Sequence, residues 1–250
     1  MDIYLYGVIP AEEAENRNFD LQTETGGIET EIESVTYRGI GFLYSEVDLG
    51  VKLRATRKNV QAHSETLADL LERTKTLAPV SFGAILEDQE ALQSLARSHK
   101  KELKKTLDDI ANKVEYGVKA YWDPEEVART IGKDDREVIS LKKKIQRGKV
   151  EDRYQATVEV GELIDEKLEE KKEKLKISIL DHLFPVSEEW IANDLFDERM
   201  AANLAFLLER SAQEAFDEAM KALGKSQPEF LTFKYNGPWP PFNFVNLELR

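Results

Sequence analysis

The chain contains no cysteine, which removes disulfides, thiolate metal sites and cysteine nucleophiles together. Three histidines in 250 residues make a zinc cage an unpromising reading. No apolar run approaches the ~20 residues of a membrane-spanning helix. The opening Met1-Asp2-Ile3-Tyr4-Leu5 lacks the basic start and long apolar stretch of a signal peptide, so a cytoplasmic location is expected. No glycine-rich phosphate loop, Walker lysine, G-x-S-x-G elbow, H-E-x-x-H pair or calcium loop occurs. Gly39-Ile40-Gly41-Phe42 is too short and wrongly placed for a dinucleotide fingerprint. These absences predict a protein that is not an enzyme and uses no cofactor and no metal. Lysine and arginine number 35 against 48 aspartates and glutamates, a net charge of -13, which disfavours nucleic acid and lipid membrane as partners.

What is present is enough apolar residue, 41%, to build a core in each of two domains. Residues 2–10 alternate as a strand that puts Tyr4 and Tyr6 on one face. Residues 11–25 are polar without period and read as a loop closed by Gly26-Gly27. Two β-like runs, 34–38 and 40–47, flank Gly39 and suggest an antiparallel pair. Over 54–74, Val60, His63, Leu67, Leu70 and Leu71 recur at helical spacing. His63 stands there without a second histidine near it, so it reads as a packing residue rather than a catalyst. The run 77–88, with Pro79 near its start and Gly83 inside it, suits an edge or bulged strand, and Glu87-Asp88 then cap a helix over 89–112.

A second clear strand over 114–122 stops at Asp123-Pro124. The long charged segment 134–183 keeps Ile164, Leu168, Leu175, Ile179 and Leu183 in step as an inner stripe, with its likeliest break near Gly148. Two strands are expected over 189–196 and 200–210, then a helix capped by Ser211 with Glu214, then a strand over 228–235. From Val114 onward the order is strand, helix, strand, strand, helix, strand, the pattern of a ferredoxin-like domain. The expected fold class is therefore α+β: an N-terminal antiparallel-sheet α+β domain over 1–112, a C-terminal ferredoxin-like (βαββαβ) domain over 113–236 with a long charged helical insertion, and a tail over 237–250.

That tail, Gly237-Pro238-Trp239-Pro240-Pro241-Phe242-Asn243-Phe244, is the least generic stretch of the chain. Its prolines force an extended course, and Trp239, Phe242 and Phe244 need either the chain's own body or a partner to cover them. One reading makes it a segment that locks the last domain; the other makes those three aromatics a partner-binding site.

Three stretches together, Leu77-Ala78-Pro79-Val80-Ser81-Phe82-Gly83 with Glu87-Asp88, Glu115-Tyr116-Gly117-Val118-Lys119-Ala120-Tyr121-Trp122-Asp123, and 237–244, resemble the gas vesicle protein F/L family. Tyr4-Leu5-Tyr6-Gly7 and Asn203-Leu204-Ala205-Phe206-Leu207 also fit, and the F branch is preferred. The resemblance spans nearly the whole chain and is weakest over 134–176. It implies a cytoplasmic accessory protein, associated with gas vesicles and required to assemble the gas-filled protein shell, with no catalytic residues to carry over. The partners it implies are the apolar major shell protein and other gas vesicle accessory proteins. The competing expectation is a ligand-sensing regulatory protein that uses a ferredoxin-like domain.

Overall fold

The computed structural model describes residues 1–15, 19–48, 53–147, 150–228 and 230–247. Its chain divides into two compact units. Met1–Tyr116, Leu207–Ser211 and Gly237–Arg250 form the first, and Gly117–Phe206 with Ala212–Asn236 form the second. In this division the described residues 237–247 group with the N-terminal residues.

The first unit is organised on strand β1 (Asp2–Pro10), almost every residue of which is buried. After it come helix α1 (Ala11–Ala14), the hairpin β2 (Gln22–Thr25) and β3 (Ile28–Glu31), and the pair β4 (Glu33–Tyr37) and β5 (Ile40–Val47). In place of the loop expected over 11–25, the described residues hold α1 and β2, and residues 16–18 lie outside the described residues. The polar residues there suit an exposed two-stranded ribbon, and Gly26 and Gly27, at φ 64° and 90°, form the two-residue turn that joins Thr25 to Ile28. Arg38 and Gly39 do the same between Tyr37 and Ile40, giving the expected antiparallel pair.

Helix α2 (Arg57–Arg73) starts at Thr56, whose side chain accepts from the Asn59 amide. It buries His63, Leu67, Leu70 and Leu71, whereas Val60 is exposed. Its far end is closed by Arg210, whose guanidinium donates to the carbonyls of Leu71 (2.8 Å), Thr74 (3.0 Å) and Lys75 (3.1 Å), groups that a helix end otherwise leaves unpaired. The run 77–88 splits into β6 (Ala78–Pro79) and β7 (Ile85–Leu86), both antiparallel to β1, with Gly83 at φ 90° in the excursion between them. The resulting order is β4-β5-β1-β6, with β7 also on β1.

Asp88 caps helix α3 (Gln89–Ser98) as expected, accepting from the Ala91 amide at 2.9 Å. The single helix expected over 89–112 is instead α3 followed by α4 (Lys100–Asp109), with His99 at the joint. The Ser98 hydroxyl donates to the Ser94 and Leu95 carbonyls there, competing with the backbone for its acceptors. Leu92, Leu95, Leu103, Leu107 and Ile110 all point into one cluster with Ile3, Leu5, Val8, Phe42 and Tyr44.

The second unit draws on α5 (Pro124–Asp134), α6 (Arg136–Arg147), α7 (Val150–Leu183), β9 (Glu189–Ala192) and α8 (Gln213–Ser226), and on parts of β8 (Lys113–Tyr121), β10 (Met200–Glu209) and β11 (Thr232–Trp239), of which residues 113–116, 207–209 and 237–239 fall in the first unit. Its four strands lie in the order β11-β8-β10-β9. The break placed near Gly148 lies outside the described residues. Helices α5, α6 and α7 pack on one another, and α7 also packs on α8. Of the expected α7 stripe, Leu175, Ile179 and Leu183 are buried, while Ile164 and Leu168 are half-buried. Phe206 of β10 meets Phe216 of α8 at 5.6 Å between ring centroids.

Two further expectations are corrected. The Ser211 and Glu214 capping box does not form: Arg210–Ala212 is a 3-10 turn, so Ser211 has left the extended conformation a capping residue needs, and α8 begins without a side-chain cap. The strand expected over 189–196 ends at Ala192, and the strand expected to end at 235 runs on through Pro238 to Trp239. Proline is admissible there because β11 lies at one end of the sheet.

Candidate functional site

The candidate surface is the terminal segment from Trp239 to Leu247, all of it within the first unit. β11 delivers Trp239 half-buried, and Pro240 and Pro241 are buried directly after it. A 3-10 turn over Phe242–Phe244 follows, closed by the Phe242 amide on Pro240 (2.8 Å) and the Phe244 amide on Pro241 (3.1 Å). Of the three aromatics singled out on sequence, Phe242 is 40% exposed, while Trp239 and Phe244 are half-buried. Beyond them Val245 and Leu247 pack against the apolar cluster of the first unit.

The segment is held by one carboxylate. Glu115 of β8, 6% exposed, accepts from the Asn243 amide at 2.8 Å and from its side-chain Nδ2 at 2.5 Å. Burial pushes the Glu115 carboxyl above its ordinary range, and the two Asn243 donors pull it back down. Gly237 is required just upstream: a Cβ there would come within 2.8 Å of both the Glu115 carbonyl and the Tyr116 ring. Sequence reasoning missed Glu115, because the alternation of β8 groups it with Lys119 on the polar face and nothing local distinguishes the two.

Asn243→Ala is expected to destabilise the first unit by about 1–3 kcal/mol near neutral pH, since it removes the side-chain donor from a buried carboxylate and leaves it only the backbone amide of residue 243. The loss should shrink as the pH falls and Glu115, its pKa raised by burial, takes up a proton earlier than an ordinary carboxylate. Urea unfolding of the variant at pH 8 and at pH 5 measures this; an equal loss at both would show that Glu115 is not the group involved.

His63 is the packing residue expected. It is 4% exposed; its Nδ1 accepts from the Tyr4 hydroxyl (2.9 Å) and its Nε2 donates to the Val80 carbonyl (3.0 Å). Burial holds its pKa below the ordinary value, so the ring is neutral. Elsewhere in the first unit a cleft of about 880 Å³ is lined by Arg38, Lys75, Lys100 and Lys104 against Glu12, Glu13 and Asp108. Glu13 is already committed there, accepting from the amides of Lys75 and Thr76. Among the described residues no group of three His, Asp or Glu side chains is placed to hold a metal ion, and no helix is long and apolar enough to cross a membrane.

Fold and site define a mixed α+β protein whose aromatic terminal segment is fastened into its N-terminal unit. The same fold is found in the crystal structure of the gas vesicle protein GvpF from Anabaena sp. PCC7120, at a TM-score of 0.85, 24% identity and 99% coverage of both chains. Residues 2–246 match the family model described as "Gas vesicle synthesis protein GvpL/GvpF", and the chain belongs to this gas vesicle protein F/L family. Gas vesicle protein F1 of Halobacterium salinarum is 27% identical over 250 residues, covering 99% of this chain and 94% of that protein. Gas vesicle protein F of Haloferax mediterranei is 26% identical, covering 99% and 95%. The family is one of gas vesicle proteins and not a known enzyme family.

Proposed function

We propose that this protein is a non-enzymatic accessory factor that binds the apolar major shell protein of gas vesicles and is required for assembly of the gas-filled shell. The observation that carries the reading is the family match across residues 2–246. An acidic chain, at net charge -13, resists its own aggregation while covering an apolar client. Phe242, 40% exposed, with the half-buried Trp239 and Phe244, is the contact offered by the terminal segment.

The second unit offers an edge as well. We read it as ferredoxin-like, a reading supported by its chain order and by the sheet order β11-β8-β10-β9. Of its two edges, β11 is interrupted by Pro238, which has no amide hydrogen to give. β9, only four residues long, presents the open row of backbone groups to which a client strand can add.

The experiment is flotation. Intact gas vesicles are isolated by buoyancy from cells making the protein, washed, and blotted for it before and after urea. Retention through the wash makes it a minor shell component at the vesicle; loss, with recovery on unassembled shell subunits, makes it an assembly factor of the cytoplasm. Association with neither pool overturns the proposal and turns attention to small-molecule binding, for which a thermal-shift screen is the readout. Phe242→Ser is expected to lower shell-protein capture roughly tenfold while the chain still unfolds cooperatively, with a small drop in melting temperature because the ring is partly covered. Unchanged capture would remove the terminal segment from the binding surface.

A further inference from the structure

A different surface stands out in the second unit. The loop from Asn193 to Arg199 connects β9 to β10, and it is fixed at both ends. The Asn193 amide donates to the Asn203 carbonyl (2.8 Å), and the Asn203 side chain donates to the Asp194 carbonyl (2.8 Å). At the other end the Trp122 amide donates to the Arg199 carbonyl (2.9 Å) and the Trp122 indole to the Glu198 carbonyl (3.3 Å). Asp197 then caps the turn into β10 by accepting from the amides of Arg199 and Met200.

Between these ties the loop puts Leu195 and Phe196 into solvent, 42% and 74% exposed. Lys119 stands 5.6 Å from the centre of the Phe196 ring, a cation–π contact that leaves most of the ring in solvent. Single exposed apolar residues are ordinary; two adjacent ones on a constrained loop have the form of a binding anchor, in which the entropy of ordering is already spent before the partner arrives. The sequence around the pair is Asp194-Leu195-Phe196-Asp197-Glu198, an apolar knob bracketed by acids on a strongly acidic chain.

We propose that Leu195 and Phe196 form a docking knob for a protein partner that presents an apolar hollow rimmed by lysine or arginine. Charge complementarity selects that partner: Asp194 and Glu198 flank the pair as exposed carboxylates, while Asp197 is paired with Arg199 at 3.6 Å, and an acidic rim would meet the first two as like charges, which cost binding across an interface. The site is separate from the terminal segment treated above and does not depend on that segment binding anything.

The test uses the full chain and two synthetic helical peptides of about 14 residues, identical in their leucine face. One is bordered by lysines and the other by glutamates. Fluorescence anisotropy at physiological ionic strength is expected to show binding of the lysine peptide and none of the glutamate peptide. Phe196→Ser should weaken the lysine peptide roughly tenfold or more, while Phe242→Ser binds as the wild type does. Because Phe196 is largely exposed, its replacement leaves the melting temperature unchanged, so loss of binding is not loss of fold. Equal binding by Phe196→Ser overturns the knob, and equal binding of the two peptides overturns the charge selection. Self-association in sedimentation that Phe196→Ser abolishes would make the occupant a second copy of this chain and overturn the proposed partner.

Discussion

Phe216→Ala is expected to cost about 3–5 kcal/mol, a large share of the 5–15 kcal/mol that holds a typical domain together. Phe216 is fully buried on α8, and its ring meets Phe206 of β10, equally buried, at 60° between planes. Truncation removes the transfer energy of the ring and leaves a void that the sheet on one side and the helix on the other cannot close without shifting. Met220 and Leu223 follow on the same face of α8 and share the loss of contact. The measurement is urea unfolding followed by far-UV circular dichroism. A midpoint within a few tenths molar of wild type would mean that the α8 contact with β10 contributes little to the second unit.

His63→Leu is the second large effect, about 2–4 kcal/mol. The ring's two nitrogens answer two different groups, a hydroxyl that donates and a carbonyl that accepts, and leucine answers neither. The Tyr4 hydroxyl also receives the Gly83 amide at 3.3 Å, so its hydrogen has nowhere to go once His63 is lost. Tyr6 stacks on the imidazole at 15° between planes and Phe82 stands edge-on to it. The variant therefore disturbs four buried or half-buried partners.

The same geometry sets a pH dependence. The folded His63 resists protonation, while the unfolded chain takes up a proton near pH 6.5. Below that pH the unfolded state binds more protons, so stability is whole above about 6.5 and falls as the pH drops toward the depressed native value. In His63→Leu this part of the acid slope disappears. Parallel melting curves from pH 8 to pH 5 test it, and an unchanged slope in the variant would assign the acid sensitivity to other groups.

Much of this architecture is legible in the sequence, and the failures have separate physical causes. Alternation found β1, β5 and β8, and helical spacing found α2 and the buried faces of α3 and α4, because each of these signals is local and strong. The β2–β3 ribbon was missed because its residues are polar on both faces, although Gly26-Gly27 carried the turn signal. His99 breaks a helix without a proline or glycine to announce it. The contacts that close the first unit are distant in sequence: Glu13 on Lys75 and Thr76, Arg210 on Leu71, Glu115 on Asn243. A residue that acts at such range has no local period to betray it, which is why the aromatics of the terminal segment were visible and the carboxylate that fastens them was not. Leu195 and Phe196 were absorbed into an expected strand; only their exposure sets them apart.

The return of residues 237–247 to the unit begun by Met1 has a consequence for synthesis. About 120 residues separate Tyr116 from Gly237, and at translation rates of roughly 5–20 residues per second that interval lasts on the order of ten seconds. Throughout it the nascent N-terminal unit lacks the strand end, the prolines and the two apolar side chains that complete it. Its cluster is open at the site Val245 and Leu247 later fill. The first unit is thus completed only once residues 237–247 have emerged, and a chain stopped before Gly237 lacks the side chains that cover its cluster.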